Sequence, residues 1–178
     1  MSLSARFDVV DHLPALNRYA LALARNQTEA NDLVHDALVL AYERRASYQP
    51  DSDLRLWLFA ILHNRFIDGI RARSVRAAYA ARERHVAVAS FEATQEEGVW
   101  LGQVRAAVEQ LPDEQRAALH LVAVEGMSYA EAAQVLDIPL GTLMSRLGRA
   151  RLALRMLAET EKAKPVRRLR VVGDGDEP

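Results

Sequence analysis

A chain of 178 residues, half of them hydrophobic and none of them cysteine, has room for one medium or two small cores and excludes disulfides and thiolate metal centres. Lysine and arginine number 23 against 24 aspartates and glutamates, and a formal charge of −1 would by itself exclude a strongly phosphate-binding surface. The total conceals segregation, because five cations face eight acids in residues 1–53, seven face two in 54–90, two face nine in 91–137 and nine face five in 138–178. Alternating blocks of this kind suit a protein that meets DNA with some surfaces and a protein partner with others, and they imply weak DNA affinity for the chain alone.

Alanine, leucine and arginine dominate, and no stretch alternates apolar with polar long enough to argue a strand, so the expected fold class is all-α: two small helical domains joined by a linker, the second a helix-turn-helix. Residues 1–14 carry Asp8 and Asp11 and lack the apolar core of a signal peptide, and no apolar run elsewhere reaches membrane-spanning length. The expectation is a soluble, cytoplasmic protein with no membrane insertion.

Helical periodicity begins at about Val9 and runs to Ala24, with Leu13, Leu16, Tyr19, Ala20 and Leu23 on one face. After a break at Asn26-Gln27-Thr28, Thr28 is the predicted cap of a second helix reaching about Ala46, with Leu33, Ala37, Leu40 and Ala41 inward and Asp32, His35, Asp36 and Glu43 outward. A turn at residues 48–53 ends on Asp53, which caps a third helix holding Leu54, Trp57, Leu58, Ile61, Leu62, Phe66, Ile67 and Ile70, with Arg65, Arg71 and Arg73 toward its end. Trp57 and Phe66 fall in step with these aliphatic positions, which favours core packing over base stacking for both. These helices make a first domain over residues 1–73.

From residue 74 to 98 the long-range apolar period is lost and the stretch reads as a linker, with scope for helix in Val75 to Arg84. A second domain covers residues 99–158, with helices from about Trp100 to Gln110 and Asp113 to Glu125 separated by Leu111-Pro112. The tail, 159–178, is basic and then acidic and reads as disordered.

The most informative stretch is residues 128–151, a helix-turn-helix pattern. Ser128 and Glu131 have the spacing of a capping box, Ala132, Ala133 and Leu136 form an inner face, Asp137 suits a left-handed turn residue, and Ile138 plugs the corner. Pro139 suits the start of the next helix, whose Leu143, Leu147 and Leu154 point inward. That leaves Met144, Ser145, Arg146, Gly148, Arg149 and Arg151 to face a groove. A pair of amphipathic helices with exposed arginines also occurs in ordinary helical domains, but there the capping box, small crossing residue, turn residue and basic helix need not coincide.

The order of these parts resembles the extracytoplasmic-function sigma factors, bacterial transcription initiation subunits. Three segments carry the likeness: Glu29 to Tyr42, EANDLVHDALVLAY, similar to the family's polymerase-binding helix; Leu54 to Asp68, LRLWLFAILHNRFID, similar to its promoter-melting helix and loop; and Leu111 to Arg151, similar to its second domain. The run LVAVEGMSYAEAA with Met144-Ser-Arg is most similar to the alphaproteobacterial general stress response branch.

This resemblance implies a set of sites. Asn64 would occupy the pocket position for a minus-10 base leaving the stack, since an amide donates and accepts at once, with Arg65, Arg71 and Arg73 on neighbouring phosphates. Gly141, Thr142, Met144, Ser145, Arg146, Arg149 and Arg151 would engage the minus-35 element, the Gly141 and Thr142 amides at phosphate. Many members of the family carry Lys or Arg where this chain has Met144 and a larger residue where it has Gly148, which shifts weight from hydrogen-bond readout toward shape and apolar contact. Asp32, Leu33, His35 and Asp36 would dock on core RNA polymerase. The implied partners are core RNA polymerase, promoter DNA and an anti-sigma factor, with no cofactor, no metal, no catalytic residues and no small-molecule substrate.

The same residues bear on other functional classes. His35-Asp36 is the dipeptide of a helical metal-dependent phosphohydrolase, but neither it nor His12, His63, His85 and His120 has metal-ligand spacing. A sigma-like decoy that binds an anti-sigma factor without reaching DNA would have no use for Arg146, Arg149 and Arg151. A helix-turn-helix regulator that does not program polymerase, such as a dimeric repressor, would want a dimer helix, and no heptad is present.

Overall fold

The computed structural model describes residues 8–49, 51–80 and 106–163, and all regular structure within them is helical. A 3₁₀ turn, Val10–His12, leads into α1 (Leu13–Ala24), followed by α2 (Gln27–Glu43), α3 (Leu54–Ala80), α4 (Asp113–Leu119), α5 (Tyr129–Val135) and α6 (Leu140–Ala163). Helices α1 to α3 form one lobe and α4 to α6 the other; residues 106–109 are also helical.

Local chemistry sets most of the boundaries. α1 stops where Arg25 turns left-handed at φ 60° while its N–H bonds Leu21 O at 2.9 Å. The cap of α2 is Asn26, not Thr28: Asn26 has the extended backbone a cap needs, and its side-chain oxygen accepts from the N–H groups of Thr28 and Glu29 at 2.8 and 3.3 Å. Thr28 already lies inside the helix. Asp53 caps α3 as expected, accepting from Arg55 N at 2.8 Å. No proline or glycine interrupts the end of α3, which continues to Ala80 through the start of the stretch read as linker. The remainder of that stretch, the expected helix start near Trp100 and the tail after Ala163 lie outside the described residues. α6 itself runs past residue 158 to Ala163.

The expected helix from Asp113 to Glu125 is real but changes pitch. After Leu119 the chain widens into a π turn, His120–Val124, whose last N–H donor, on Glu125, reaches His120 O at 3.0 Å. Gly126, at φ 68°, then reverses the chain in a conformation that suits glycine.

Buried residues of both lobes form one continuous cluster: Leu16, Tyr19, Leu23, Val34, Leu58, Phe59 and Leu62 on one side, Ala117, Leu121, Leu136, Leu143 and Leu147 on the other. Phe66 is buried and Trp57 half-buried against Tyr48, so both pack as the sequence predicts. Tyr19 is the joint. Its ring lies 5.3 Å from Phe59, 6.3 Å from His63 and 5.4 Å from His120 of the second lobe, and its hydroxyl is 2.9 Å from His63 Nδ1.

Polar contacts across the same boundary centre on Glu125, whose side chain is 1% exposed. Arg18 meets it with Nε and Nη2 at 3.2 Å each, and Arg55 bonds its carboxylate at 3.1 Å and its carbonyl at 2.6 Å. His120 Nε2 lies 3.3 Å from the same carboxylate, off the line of a hydrogen bond. In return, Arg116, also 1% exposed, donates to the carbonyls of Ala22 and Leu23, two of those left open at the end of α1, and to Leu111 O and Asp113. Arg25 reaches Leu111 O and Asp113 as well, each at 3.1 Å.

Two consequences are measurable. Replacing Arg18 and Arg55 together by alanine leaves a buried carboxylate without its cations and is expected to cost about 3–5 kcal/mol by urea denaturation, with Glu125→Gln in the same background restoring part of the loss. A further substitution that makes stability worse would show that Glu125 does not depend on those two arginines. The second consequence concerns pH. Burial, with the Arg146 charge adding to it, pushes His63 down to about 4, and burial likewise pushes His120 below its usual value against the pull of Glu125. Both are therefore neutral in the folded chain at pH 7, whereas the unfolded chain takes up protons near 6.5. Stability is expected to hold above pH 7 and to fall as pH drops below 6.5, by up to about 1.4 kcal/mol per pH unit for His63 down to about 4, with His120 adding to the fall in the same direction. His63→Gln should flatten that slope in urea titrations at successive pH values.

Candidate nucleic-acid interface

The helix-turn-helix is built as its sequence dictates. Ser128 Oγ accepts from Glu131 N at 3.2 Å, and the Glu131 carboxylate accepts from Ser128 N at 2.7 Å. Hydrogen bonding to its carboxylate from the Ser128 hydroxyl and then from the Ser128 N–H holds the Glu131 carboxyl below its ordinary range. Asp137 turns left-handed at φ 50°, Ile138 N closes onto Ala133 O at 3.1 Å, and Pro139 O starts α6 by accepting from Thr142 N at 2.9 Å. Ala132, Ala133, Leu136, Leu143, Leu147 and Ala150 are buried between the helices, with Leu154 half-buried beyond them.

The opposite face of α6 is open. Gly141, Met144, Ser145, Gly148, Arg149 and Arg151 are exposed, Thr142 half-buried, and Arg151 donates to the Tyr129 hydroxyl at 3.0 Å. Arg146 is different: its side chain is 19% exposed, paired with Glu114 at 3.0 Å and turned toward the first lobe. Gly148 has nothing within 4 Å of the place a Cβ would occupy and no left-handed backbone to justify it. The helix therefore carries a glycine that its own packing does not require, at a cost of roughly 0.5–1 kcal/mol relative to alanine. Gly148→Ala should raise stability by that amount in thermal melts, and weaken DNA binding if the glycine admits close approach of a groove edge. A stabilised variant that binds DNA as well as the parent would show that the glycine serves no close approach to DNA.

In the first lobe Asn64 is exposed halfway along α3. The promoter-melting helix and loop of the resemblance is thus continuous helix here, and Asn64 does not end it. An asparagine in a helix interior is unfavourable and has no packing role at an exposed position. Arg65 is bonded through Nε and Nη2 to Asp36 at 3.1 and 2.8 Å, Arg71 lies 3.7 Å from Asp68, and Arg73 lies 3.9 Å from Glu29. Asn64, His63 and Arg71 line one wall of a cleft of about 540 Å³ between the lobes, and Arg146, Asp137 and Ile138 line the other.

On α2, Asp32, His35 and Asp36 are exposed and Leu33 is half-buried. Val39 and Tyr42, 45% and 62% exposed, extend the same face, and Arg45 stacks 4.0 Å over the Tyr42 ring. Their spacing from Asp32 and His35 is visible in the sequence, where the outward face of this helix is assigned to Asp32, His35, Asp36 and Glu43 alone. Among the described residues no group of three or more His, Cys, Asp and Glu could hold a metal ion, and no helix is long and apolar enough to cross a membrane.

A two-lobed helical protein whose second lobe presents an open helix-turn-helix face belongs to the class of DNA-binding transcription proteins. Residues 101–154 match the family described as Sigma-70, region 4, and residues 9–63 match the Sigma2 domain of PhyR. The chain is 35% identical over 161 residues to the ECF RNA polymerase sigma factor EcfG of Rhodopseudomonas palustris, covering 90% of this chain and 88% of that one. It is 31% identical to the RNA polymerase sigma factor CnrH of Cupriavidus metallidurans over 88% of this chain and 87% of the relative. Among solved structures, the sigma factor RpoE of Bartonella quintana, determined in complex with the anti-sigma factor NepR, superposes with a TM-score of 0.74 at 30% identity over 90% of this chain and 99% of that one. The chain belongs to the extracytoplasmic-function RNA polymerase sigma factors.

Proposed function

We propose that this chain is a cytoplasmic, non-enzymatic subunit that directs core RNA polymerase to a small set of promoters and is restrained by an anti-sigma factor. The observation that carries the reading is Asn64, an amide exposed in mid-helix on a cleft wall, where it serves neither a cap nor the core. A base leaving the duplex needs a group that can donate and accept at one edge, and an amide does both. Arg65, Arg71 and Arg73 on the same helix would hold the flanking phosphates. The open face of α6, with Gly141 and Thr142 at its start and Met144, Ser145, Arg149 and Arg151 beyond, would enter the minus-35 groove. The exposed acidic and apolar face of α2, Asp32, His35 and Asp36 extended by Val39 and Tyr42, and Leu33 half-buried beside it, would dock on the polymerase.

The closed arrangement bears on how this works. Minus-10 and minus-35 elements lie roughly 25 base pairs apart, about 85 Å at 3.4 Å per step, while a compact chain of this length is about 40 Å across. A cleft of about 540 Å³ is the size of a small-molecule pocket and cannot admit a duplex. The lobes therefore have to part at Glu125 and Arg116 before both elements can be read, and Arg146 can join Arg149 only afterwards. Free chain would bind promoter DNA weakly, in keeping with its near-neutral charge. The complex of RpoE with NepR supports an anti-sigma factor as the partner that restrains this chain.

A sigma-like decoy is the second reading, favoured by the match of the first lobe to a PhyR domain. The open, basic face of α6 speaks against it. Reconstituting the chain with core polymerase and mapping transcripts from genomic DNA decides the matter, since specific start sites are expected here and none for a decoy. At residue level, Asn64→Ala should slow strand opening, read with permanganate or a fluorescent base, by at least tenfold while leaving duplex binding near normal. Arg149→Ala should instead weaken minus-35 duplex binding by about 1–3 kcal/mol. Equal losses at both steps for both variants would refute the division of labour.

A further inference from the structure

The two sets of charges that the proposed function assigns to different partners are bonded to each other in the free chain. α2 and α3 pack against one another, and two ion pairs cross between them in antiparallel register: Glu29 with Arg73 at 3.9 Å and Asp36 with Arg65 at 2.8 Å. The stronger is a fork of two bonds from one guanidinium to Asp36 Oδ2. By the same register Asp32 on α2 stands level with Gly69 on α3, where a neighbouring side chain is lacking, and Asp32 is exposed. The acidic row of α2 is thus engaged at both ends and open in the middle.

We infer that Asp36 and Arg65 form an exchange pair that couples polymerase docking to DNA binding: a polymerase cation that takes Asp36 frees Arg65 for a phosphate, and a phosphate that takes Arg65 frees Asp36 for the polymerase. The inference rests on the proposed assignment of α2 to polymerase and of α3 arginines to promoter DNA. Its physics is linkage. Each partner has to break the same pair, and once one has done so the other no longer needs to, so each strengthens the other by an equal factor. Both side chains are 47% exposed, which keeps the pair weak enough to exchange and limits that factor to about two- to fivefold. Glu29 and Arg73, longer and more exposed, would add a smaller increment. The arrangement also accounts for an otherwise odd placement, a carboxylate held against an arginine that is meant for phosphate.

The test uses full-length protein and a fluorescein-labelled oligo(dT) strand, which offers phosphates without a promoter sequence, in anisotropy titrations at low ionic strength. Asp36→Asn is expected to tighten binding by the free chain about two- to fivefold, and the gain should vanish in an Arg65→Ala background and shrink as salt rises. Glu43→Gln, which removes a charge from an exposed position on the same helix that pairs with no described arginine, controls for the general loss of negative field. An Asp36→Asn gain that is absent, equal to that of Glu43→Gln, or preserved without Arg65 overturns the exchange. In the second arm, core polymerase is titrated with and without oligo(dT): the wild type should show reciprocal tightening by the same factor, and Asp36→Asn should show none. If neither Asp32→Asn nor Asp36→Asn weakens core binding, docking through α2 fails and the exchange fails with it. If core binding falls but the first arm shows no Arg65-dependent gain, docking stands and the exchange alone is rejected.

Discussion

A carboxylate sealed from water has to find cations, and the arginines bonded to Glu125 belong to the other lobe. Arg18 and Arg55 both converge on it. Burying an unpaired charge costs several kcal/mol, so the second lobe cannot dock in any orientation that leaves Glu125 without those guanidiniums. Apolar burial between the lobes supplies attraction but little orientation, since one greasy face slides on another; the fork at Arg18 and the carbonyl bond from Arg55 fix the register. Tyr19, stacked on Phe59 of its own lobe and tilted against His120 of the other, then has a single place to sit.

The reciprocal contact explains a local irregularity. Arginine rarely adopts the left-handed conformation that ends α1, a state that costs roughly 1–2 kcal/mol for a residue with a Cβ. With that turn made, the Arg25 guanidinium meets Leu111 O and Asp113, and Arg116 closes the open carbonyls of Ala22 and Leu23 from the opposite side. Backbone strain in one lobe is offset by hydrogen bonds from the other, so the end of α1 is as much a part of the second lobe's fold as of the first's. Burial first and the Arg25 charge second lower the tendency of Arg116 to hold its proton, and Asp113 offsets part of that.

What could be read from the chain beforehand follows the range of the interactions involved. The helix-turn-helix was legible in detail because its determinants lie within a few residues of one another: Ser128 with Glu131, Asp137 at the turn, Leu143 and Leu147 one helical turn apart. The cap of α2 was misplaced by two residues, since Asn26 and Thr28 are both good caps and only the backbone distinguishes them. Nothing local distinguishes fully buried Phe59 from the aliphatic residues around it in α3. Nothing local marks Arg18, Arg55 and Glu125 as partners, for they are 107 and 70 residues apart and each alone resembles a solvated surface charge. For the same reason Arg146 reads as groove-facing on its own helix and becomes a cleft residue only once Glu114 and the first lobe are in place.

The near-neutral total charge now has a structural meaning. Arg18, Arg55, Arg65, Arg73, Arg116 and Arg146 are each set against a carboxylate, so these six cations are committed inside the closed chain and are not free for phosphate. Those commitments differ in depth. The pairs of Arg18 and Arg55 with Glu125 are buried on the carboxylate side and cross between the lobes, whereas pairs at Asp36 and Glu29 are half-exposed and lie within a single lobe. Salt and competing charges erode the second kind first. On the proposed reading, a chain built this way would meet a charged surface in stages: its surface pairs would reorganise on contact while the lobes stay shut, and separation of the lobes would require a partner able to compensate the buried carboxylate.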